Sequence, residues 1–428
     1  MKTILRRPIS PTIKIGFTGD FVPGLIPYEP IDISPDLKRI VNGCDFIVTN
    51  LESPLTSEYF WKPKGYGGRL RSDPASVVEL SRLNIKLANL ANNHILDCGF
   101  KGLEDTIDAL EKKGIAWFGA GKNREQATEP YLIEKFGTRI AFLAYTCKSQ
   151  DFLSMASKKS YGPNLFELGN VKEDITKLKR NGFIVCISYH GGWELFRVPS
   201  RVRRDVLREI ACSGADLVVG HHAHLFQGIE YIGGNLILYG LGNFFFHMLD
   251  RNKIAYKGTN IGLFVLIEID REGPVSYQPY FVYTSNSENS LSLIQEKKEL
   301  DLKIMLHELS NIVSSDKKHL IEWRYDCCRK VFNMNTSLNT IQLFNYNIFK
   351  FYNVIIKNKY TRLMSKIKIN NIKNDANNNT KYIASRKGSP EYANPFKDII
   401  TAIILGMPRA VLNFRHTTKW YHLYNMED

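Results

Sequence analysis

Near-continuous apolar runs alternate with amphipathic stretches along the chain as far as residue 269. The apolar runs predict strands at residues 13–18, 45–49, 85–90, 139–145, 183–188, 216–219, 236–239 and 261–269. Helical spacing separates them at residues 76–82, 99–113, 171–180 and 203–212, and Gly114 stands where a C-cap glycine belongs. Strands that are apolar along their whole length, alternating with helices, indicate a covered, largely parallel or mixed sheet. The pattern therefore predicts an α/β fold.

Polar residues cluster at the ends of these predicted strands. The residues that follow an apolar run in this way are Asp20, Glu52, Asn93, His94, His190 and His222. Ligands of α/β folds bind at the carboxyl ends of the strands. Five strand ends that carry ligand-type side chains therefore predict a single binding or catalytic site.

The composition is that of a globular protein, with an uneven distribution of charge. The 428 residues include 44% hydrophobic and 23% charged side chains, which excludes collagen-like, wholly disordered and disulfide-scaffold classes. The net charge is +14, but residues 301–428 hold 20 Lys and Arg against 10 Asp and Glu, whereas residues 1–300 hold 37 against 33. The basicity therefore belongs mainly to the C-terminal part, where Asn, Lys and Ile are also abundant.

The ends and the cysteines favour the cytoplasm as the compartment. The N-terminus lacks the apolar stretch of about 7–15 residues that a signal peptide needs. No segment reaches the roughly 18 apolar residues of a membrane span. Seven scattered cysteines without a C-x-x-C pair indicate neither a disulfide framework nor a zinc ribbon.

The histidines supply the first candidate chemistry. His222 and His224 form an H-x-H pair after a predicted strand, so both imidazoles can reach one metal site, and His190 and His94 follow other strands. Neutral imidazole suits Zn, Fe, Mn or Ni, and carboxylates with Asn carbonyls extend that preference toward Mn and Mg. Two metals that share a carboxylate would activate water and neutralise a developing oxyanion.

The ordered motifs of residues 13–285 resemble the CapA family, named for poly-γ-glutamate capsule synthesis and part of the calcineurin-like metallophosphatase superfamily. The matching segments are Thr18-Gly19-Asp20, Asn50 to Thr56, Leu87 to Asp97, Gly119 to Asn123, His190 to Glu194, Gly220 to His224 and Leu241 to Phe244. The resemblance implies a four-layer metallophosphatase-like fold, in which helices flank a central mixed β-sandwich. Residues 1–290 would form this domain, and residues 291–428 a basic, mainly helical C-terminal extension.

The resemblance also implies roles for individual residues. Asp20 would bind a first metal, Glu52 would bridge, Asn93 and His190 would bind a second metal, and His222 and His224 would be shared. His94 would be the general acid, held near Asp97. Glu194, Arg69 and Arg71 would contact substrate. His221 and Asn92 would not bind metal themselves but would orient the side chains that do. Structural roles without chemistry are the alternative for these residues. Asp20 could form a turn, Glu52 could accept hydrogen bonds from loop amides, and Arg69 and Arg71 could lie on a solvated surface.

Three departures from the family pattern leave the reaction open. Val22 stands where the superfamily has a His, and Ala223 stands where the family usually has a Pro. The family commonly has His-Trp-Gly before its Glu, whereas Gly192-Trp193 precedes Glu194 here. The cofactors expected are one or two divalent metals, Mn, Fe or Zn, with a metal-free site as the alternative. The expected function is a metal-dependent hydrolase or transferase acting in synthesis of poly-γ-glutamate or a related envelope polymer. A metal-independent peptide epimerase and a non-catalytic scaffold in a capsule-assembly complex are the alternatives.

The partners follow from this interpretation and from the basic extension. The substrate would be an anionic polymer or peptide. Residues 349–369 mix Lys and Arg with aromatic residues, which fits an anionic membrane surface, contact with capsule machinery, or simple packing on the catalytic domain. The extension would then place a cytoplasmic protein at the inner face of the membrane. Nucleic acid is not expected, since no binding motif is present.

Overall fold

The computed structural model describes residues 2–24, 27–60, 68–147, 161–247, 258–323 and 326, which form eighteen strands and seven α-helices, with further helical residues at 316–323. The strands are β1 (Thr3–Ile4), β2 (Ile13–Phe21), β3 (Asp32–Ile33), β4 (Phe46–Leu51), β5 (Ile85–Asn89), β6 (Ala116–Phe118), β7 (Ala120–Gly121), β8 (Tyr131–Lys135), β9 (Thr138–Thr146), β10 (Gly162–Pro163), β11 (Ile184–His190), β12 (Leu217–His221), β13 (Ile229–Ile232), β14 (Asn235–Leu238), β15 (Asn243–Phe245), β16 (Ile261–Asp270), β17 (Gly273–Ser285) and β18 (Ser290–Leu293). The helices are α1 (Pro35–Asn42), α2 (Val77–Arg82), α3 (Gly99–Lys112), α4 (Arg124–Thr128), α5 (Leu168–Arg180), α6 (Arg201–Cys212) and α7 (Glu296–Val313). A 3₁₀ turn at Pro74–Ser76 precedes α2.

Two mixed sheets make up the centre of the fold. The larger has the order β3-β18-β17-β16-β2-β4-β5-β6, with β1 paired to β17 and β15 paired to β2. In it β2, β4, β5 and β6 run parallel, while β16, β17 and β18 are antiparallel neighbours. The smaller sheet has the order β13-β14-β12-β11-β9-β8, with parallel strands from β14 to β9 and antiparallel edges.

Alternating side chains bury both faces of each sheet. Phe142 of β9 points toward the larger sheet, where its ring centroid lies 6.1 Å from that of Phe46 and 6.3 Å from that of Phe118. Its neighbour Leu143 points the other way, into the layer formed with α5 and α6. Helices α1, α2 and α3 cover the outer face of the larger sheet in the same manner. The result is the predicted four-layer arrangement of helices around a mixed β-sandwich.

Most of the predicted elements are found close to their expected bounds. The strand expected at residues 13–18 extends to Phe21, and α3 ends at Lys112, with Gly114 at φ +66° as a C-cap glycine requires. The five cysteines in the described residues are free thiols, four of them buried. Within the described ranges no helix has both the length and the apolar character that crossing a bilayer demands.

The described residues as far as Leu320 belong to one compact unit, and a second unit begins at Ile321. All the numbered elements above lie in the first. The boundary between residues 290 and 291 stays a prediction. The basic segment 349–369 lies outside the described residues, so its proposed contacts stay predictions as well.

Candidate metal centre

The strand ends of both sheets bring their polar residues to one place. From the larger sheet come Asp20 at the end of β2, Glu52 just after β4, and the loop after β5. The smaller sheet contributes His190, the last residue of β11, and the loop after β12. Because Gly19 has no side chain, the segment that leads into β15 can lie directly against the end of β2: a Cβ there would lie 1.9 Å from the Gly242 carbonyl oxygen. The expected convergence is therefore found.

Asp20 is a fully buried carboxylate surrounded by donors. Its Oδ1 accepts a hydrogen bond from Asn50 Nδ2 at 2.9 Å and lies 3.2 Å from His221 Nδ1. Its Oδ2 lies 3.3 Å from His224 Nδ1 and accepts the His222 backbone N–H at 3.2 Å. Burial alone would raise the pKa of Asp20, but the His221 and His224 imidazoles outweigh it and hold that pKa well below 3.8. Asp20 is therefore an anion in the folded protein.

Glu52 is buried too, but without such donors. Neither carboxylate oxygen accepts a hydrogen bond from any residue that the structure describes. Three imidazole Nε2 atoms lie around Oε1, those of His190 at 3.5 Å, His224 at 3.9 Å and His94 at 4.0 Å. Burial, followed by repulsion from Asp20, raises the pKa of Glu52 well above 4.5. Without a partner, burial thus disfavours the charged form of Glu52, and a bound cation would supply the opposite charge that stabilises it, so the group fits a metal site.

The side chains form two groups of three that share Glu52. Asp20, Glu52 and His224 form one, and Glu52, His190 and His222 form the other, with ligand atoms within 4.8 Å of one another in each group. Asn93 adjoins the second group, since its Oδ1 lies 2.8 Å from His190 Nε2. This mixture of imidazole, carboxylate and amide oxygen suits Zn, Fe or Mn.

The imidazoles have different electrostatic surroundings. Burial lowers the pKa of His190 well below 6.5 and that of His222 to about 4, so both are neutral, which is the form that ligates metals. Burial also opposes the charge on His224, but Glu52 and Asp20 outweigh it and raise that pKa to about 10. The two carboxylates thus stabilise a positive charge on His224, and a metal cation bound between them would take the place of that proton.

His94 and Asp97 form a pair on the side of the site nearest solvent. His94 Nδ1 lies 2.8 Å from Asp97 Oδ2, which also accepts the Leu70 backbone N–H at 2.7 Å. Leu70 stands between Arg69 and Arg71, so the arginine loop is joined directly to the histidine pair. The guanidinium of Arg69 lies 4.7 Å from the centre of the Phe60 ring. The backbone of the arginine loop thus adjoins the expected general acid, while the Arg71 guanidinium donates to the Glu58 carbonyl oxygen at 2.8 Å.

Exposure shows from which side a substrate can approach. Asp20, Glu52, His190 and His224 are at most 2% exposed, whereas Asn93, His94 and His222 are 7–9% exposed. Glu194 lies at this opening, with its Oε1 3.8 Å from His222 Nε2 and its side chain 45% exposed. It also forms a third possible ligand group with His222 and His224. Val22, at the position of the superfamily histidine, is a buried apolar residue.

Two further polar residues complete the site and were missed in the sequence. Asn50 lies at its centre, because its Oδ1 accepts from Asn89 Nδ2 at 3.2 Å while its Nδ2 donates to Asp20. Asn243 of β15 has its Oδ1 2.9 Å from His224 Nδ1. Asn50 belongs to the same strand-end motif as Glu52, which is a usable signal, whereas the sequence gives no comparable signal for Asn243.

The expected supporting residues also lie beside the candidate ligands. Asn92 donates to the Leu51 carbonyl oxygen at 2.8 Å and accepts the His94 backbone N–H at 3.1 Å. His221 lies beside Asp20, as described above. His222 and His224 have φ angles of +86° and +54°, in the left-handed region that non-glycine residues seldom adopt. Such strain persists only where the surrounding structure enforces it.

Comparisons with known proteins agree with the motifs. The chain is 32% identical over 216 residues to the PGA biosynthesis protein CapA of Bacillus subtilis, covering 49% of this chain and 55% of that protein. It is 29% identical over 222 residues to the capsule biosynthesis protein CapA of Bacillus anthracis, covering 50% and 52%. A probable polyglutamine synthesis accessory protein of Mycobacterium tuberculosis is 30% identical over 214 residues, covering 46% and 55%. The chain thus spans about half the length of the curated relatives it matches.

Solved structures give a weaker likeness. The NAD nucleotidase of Haemophilus influenzae aligns with a TM-score of 0.39 at 13% identity, covering 70% of this chain and 56% of that one. A putative 5′-nucleotidase from Staphylococcus aureus aligns with a TM-score of 0.40 at 14% identity, covering 70% and 58%. These scores are too low to carry weight beside the sequence match. The family model of the bacterial capsule synthesis protein PGA_cap matches residues 7–248, more than half of the sequence, and the chain belongs to that family.

Proposed function

We propose that this chain is a divalent-metal-dependent hydrolase or transferase acting on an anionic or amide-linked polymer or peptide. It would act in the synthesis of poly-γ-glutamate or a related envelope polymer, as the names of its relatives suggest. The observation that carries the proposal is Glu52, a buried carboxylate with imidazole nitrogens 3.5–4.0 Å away and no hydrogen bond from the described residues. A cation is the partner that such a group lacks.

The chain offers positions for one metal or two. Asp20, Glu52 and His224 would hold one, and Glu52, His190 and His222 the other, with Asn93 beside it. A divalent metal supplies Lewis acidity, which polarises a carbonyl or phosphoryl oxygen. Because Glu52 is common to both groups, its loss would affect either arrangement.

The protein's own residues would bind the substrate and move the proton. Asp97 holds His94 through Nδ1, which leaves Nε2 facing the site, where it can give a proton to the leaving group. Arg69 and Arg71, on either side of the Leu70 amide bonded to Asp97, would bind carboxylates of an anionic polymer. Glu194 would contact substrate at the opening.

Metal content and Mn²⁺ titration of the purified chain test the proposal. The wild type is expected to hold Mn, Fe or Zn, and Glu52→Gln to lose it. Glu79→Gln is the matched control, because Glu79 is equally buried but contacts Tyr28 and Arg82 away from the site. A folded wild type without bound metal, whose activity is unaltered by a chelator, would contradict the metal mechanism.

One observation favours a metal-free epimerase as the second candidate. His94 Nε2 faces the site while Asp97 holds Nδ1, so this imidazole could remove a Cα proton and return it. Deuterium incorporation from heavy water into a recovered peptide substrate separates this reaction from hydrolysis. If His222→Ala leaves polymer production in cells unchanged, both enzymatic proposals lose support and a scaffold role gains it.

A further inference from the structure

Arg203 is a buried arginine on α6 that none of the proposed chemistry uses. It is 1% exposed, and its backbone N–H is capped by Ser200 Oγ at the start of the helix. Its Nη1 donates to Gln227 Oε1 at 2.7 Å and its Nη2 donates to the His221 carbonyl oxygen at 3.0 Å. A cationic side chain is costly to bury, so its position beneath the segment that carries His221 and His222 (the histidine loop) indicates a specific role.

The carbonyl that Arg203 binds belongs to the peptide between His221 and His222. The N–H of that same peptide donates to Asp20 Oδ2 at 3.2 Å. One peptide group is therefore fixed on both sides, by a guanidinium and by a candidate metal ligand. A donor on the carbonyl polarises the peptide and strengthens its N–H as a donor. The arrangement also fixes the direction in which the chain enters His222, whose φ is +86°.

Two glycines make room for the guanidinium. A Cβ at Gly192 would lie 2.5 Å from Arg203 Cδ, and a Cβ at Gly220 would lie 2.8 Å from Arg203 Nη2. Gly192 follows His190 by two residues, and Gly220 precedes His222 by two. Arg203 thus packs between the two loops that carry these histidines. Gln227, its other partner, donates to the Phe196 carbonyl oxygen at 2.8 Å and so joins the same two loops.

We propose that Arg203 is a positioning residue for the metal centre, which holds the His221–His222 peptide so that His222 and Asp20 keep their ligating arrangement. The part of this inference that concerns metal affinity rests on the proposed function. The part that concerns the peptide does not, because it follows from hydrogen bonds of the protein alone.

The adjacent Arg204 provides a matched control. It is also buried, at 3% exposure, but its side chain binds Asp205, Asp316 and the Val313 carbonyl oxygen, on the side of α7. Arg203→Met and Arg204→Met therefore remove the same charge from neighbouring positions of one helix. Arg203→Lys keeps the charge and one donor group, which can reach only one of the two acceptors.

The experiment measures Mn²⁺ affinity by titration, and amide hydrogen exchange of the metal-free protein over residues 217–227 by mass spectrometry. Arg203→Met is expected to weaken Mn²⁺ binding about 10–100-fold, as loss of residues that orient ligands does. It should also speed exchange of this segment by about tenfold, because the His222 amide loses its fixed acceptor geometry. Arg203→Lys should recover part of both effects, and Arg204→Met should change neither.

The outcomes separate this inference from the proposed function. If residues 217–227 of Arg203→Met exchange at the wild-type rate, or if Arg204→Met speeds their exchange equally, Arg203 has no positioning role. If the wild type binds no Mn²⁺, the proposed function fails, and the exchange comparison alone decides the role of Arg203. If Arg203→Met does not fold, Arg203→Lys provides the same comparison.

Discussion

Asn50 donates its side-chain amide to Asp20 Oδ1 across 2.9 Å, at the ends of two neighbouring parallel strands. The same nitrogen lies 3.3 Å from His190 Nδ1, on the other sheet. Its oxygen accepts from Asn89 and Asn92, at 3.2 and 3.4 Å. One buried amide therefore aligns a carboxylate from the first sheet with an imidazole from the second.

Asn50→Leu is expected to lower the free energy of unfolding by about 2–3 kcal/mol, because buried polar groups that lose a partner keep their desolvation cost. It should also weaken Mn²⁺ binding about tenfold, since Asp20 and His190 lose their common support. Urea unfolding and Mn²⁺ titration measure the two effects. Asn84→Gly is the control, because the Asn84 side chain donates to the Val41 and Cys44 carbonyls at the opposite end of the sheet. Unchanged Mn²⁺ affinity in Asn50→Leu would show that the amide merely stabilises the fold.

His94→Ala is expected to lower turnover of a γ-glutamyl polymer or peptide by about 10²–10⁴-fold, the usual contribution of a general acid. Asp97→Asn should lower it less, because the imidazole remains and loses only its acceptor at Nδ1. Metal content should stay at the wild-type value in both. His307→Ala, at an exposed position of α7, serves as control. Full activity in His94→Ala would rule out this residue as the proton donor.

The convergence of the candidate ligands could be predicted because each follows a strand whose apolar pattern is unmistakable. Asp20, His190 and His222 all follow buried runs, and strand ends of one fold meet at one edge. Strand β17 was missed, although it is the longest of the described strands, since Pro274 and Pro279 interrupt its pattern and prolines argue against a strand.

The supporting residues could not be predicted, because their role depends on contacts between distant parts of the chain. Asn50 and His190 are 140 residues apart in sequence. Arg203 and Arg204 both look like solvated positions of an amphipathic helix, yet both are buried, one beneath the histidine loop and one beside α7. No periodicity distinguishes a charged residue in solvent from one covered by a loop.

Gly119→Ala is expected to destabilise the fold by about 2–4 kcal/mol, through backbone strain and overpacking together. Gly119 has φ +84°, and a Cβ there would lie 2.7 Å from Ala144 Cβ on the other sheet and 2.9 Å from Ala91 Cβ, before the His94 loop. Gly137→Ala is the control: its φ is +72°, but nothing lies within 4 Å of the added Cβ, so only the strain of about 1 kcal/mol remains. Equal losses in the two variants, measured by urea unfolding, would show that packing at Gly119 is unimportant.

His319 provides a pH-dependent contribution to stability that is separate from the candidate metal centre. Its Nε2 lies 2.8 Å from the Pro199 carbonyl oxygen, and the residue is 1% exposed. Burial, followed by repulsion from Arg204, lowers its pKa to about 4, although the Pro199 carbonyl and Asp205 act in the opposite direction. The folded protein therefore keeps this imidazole neutral at pH values where the unfolded chain protonates it.

Above pH 6.5, His319 is neutral in both states and its titration leaves the free energy of unfolding unchanged. As the pH falls from 6.5 to about 4, the unfolded chain binds a proton that the folded protein does not, so stability decreases, by up to about 3 kcal/mol. His319→Gln keeps a donor for the Pro199 carbonyl but does not titrate, so its free energy of unfolding should decrease less over this range. Urea unfolding of both proteins at several pH values measures the difference. Parallel pH profiles would mean that His319 titrates alike in the folded and unfolded states.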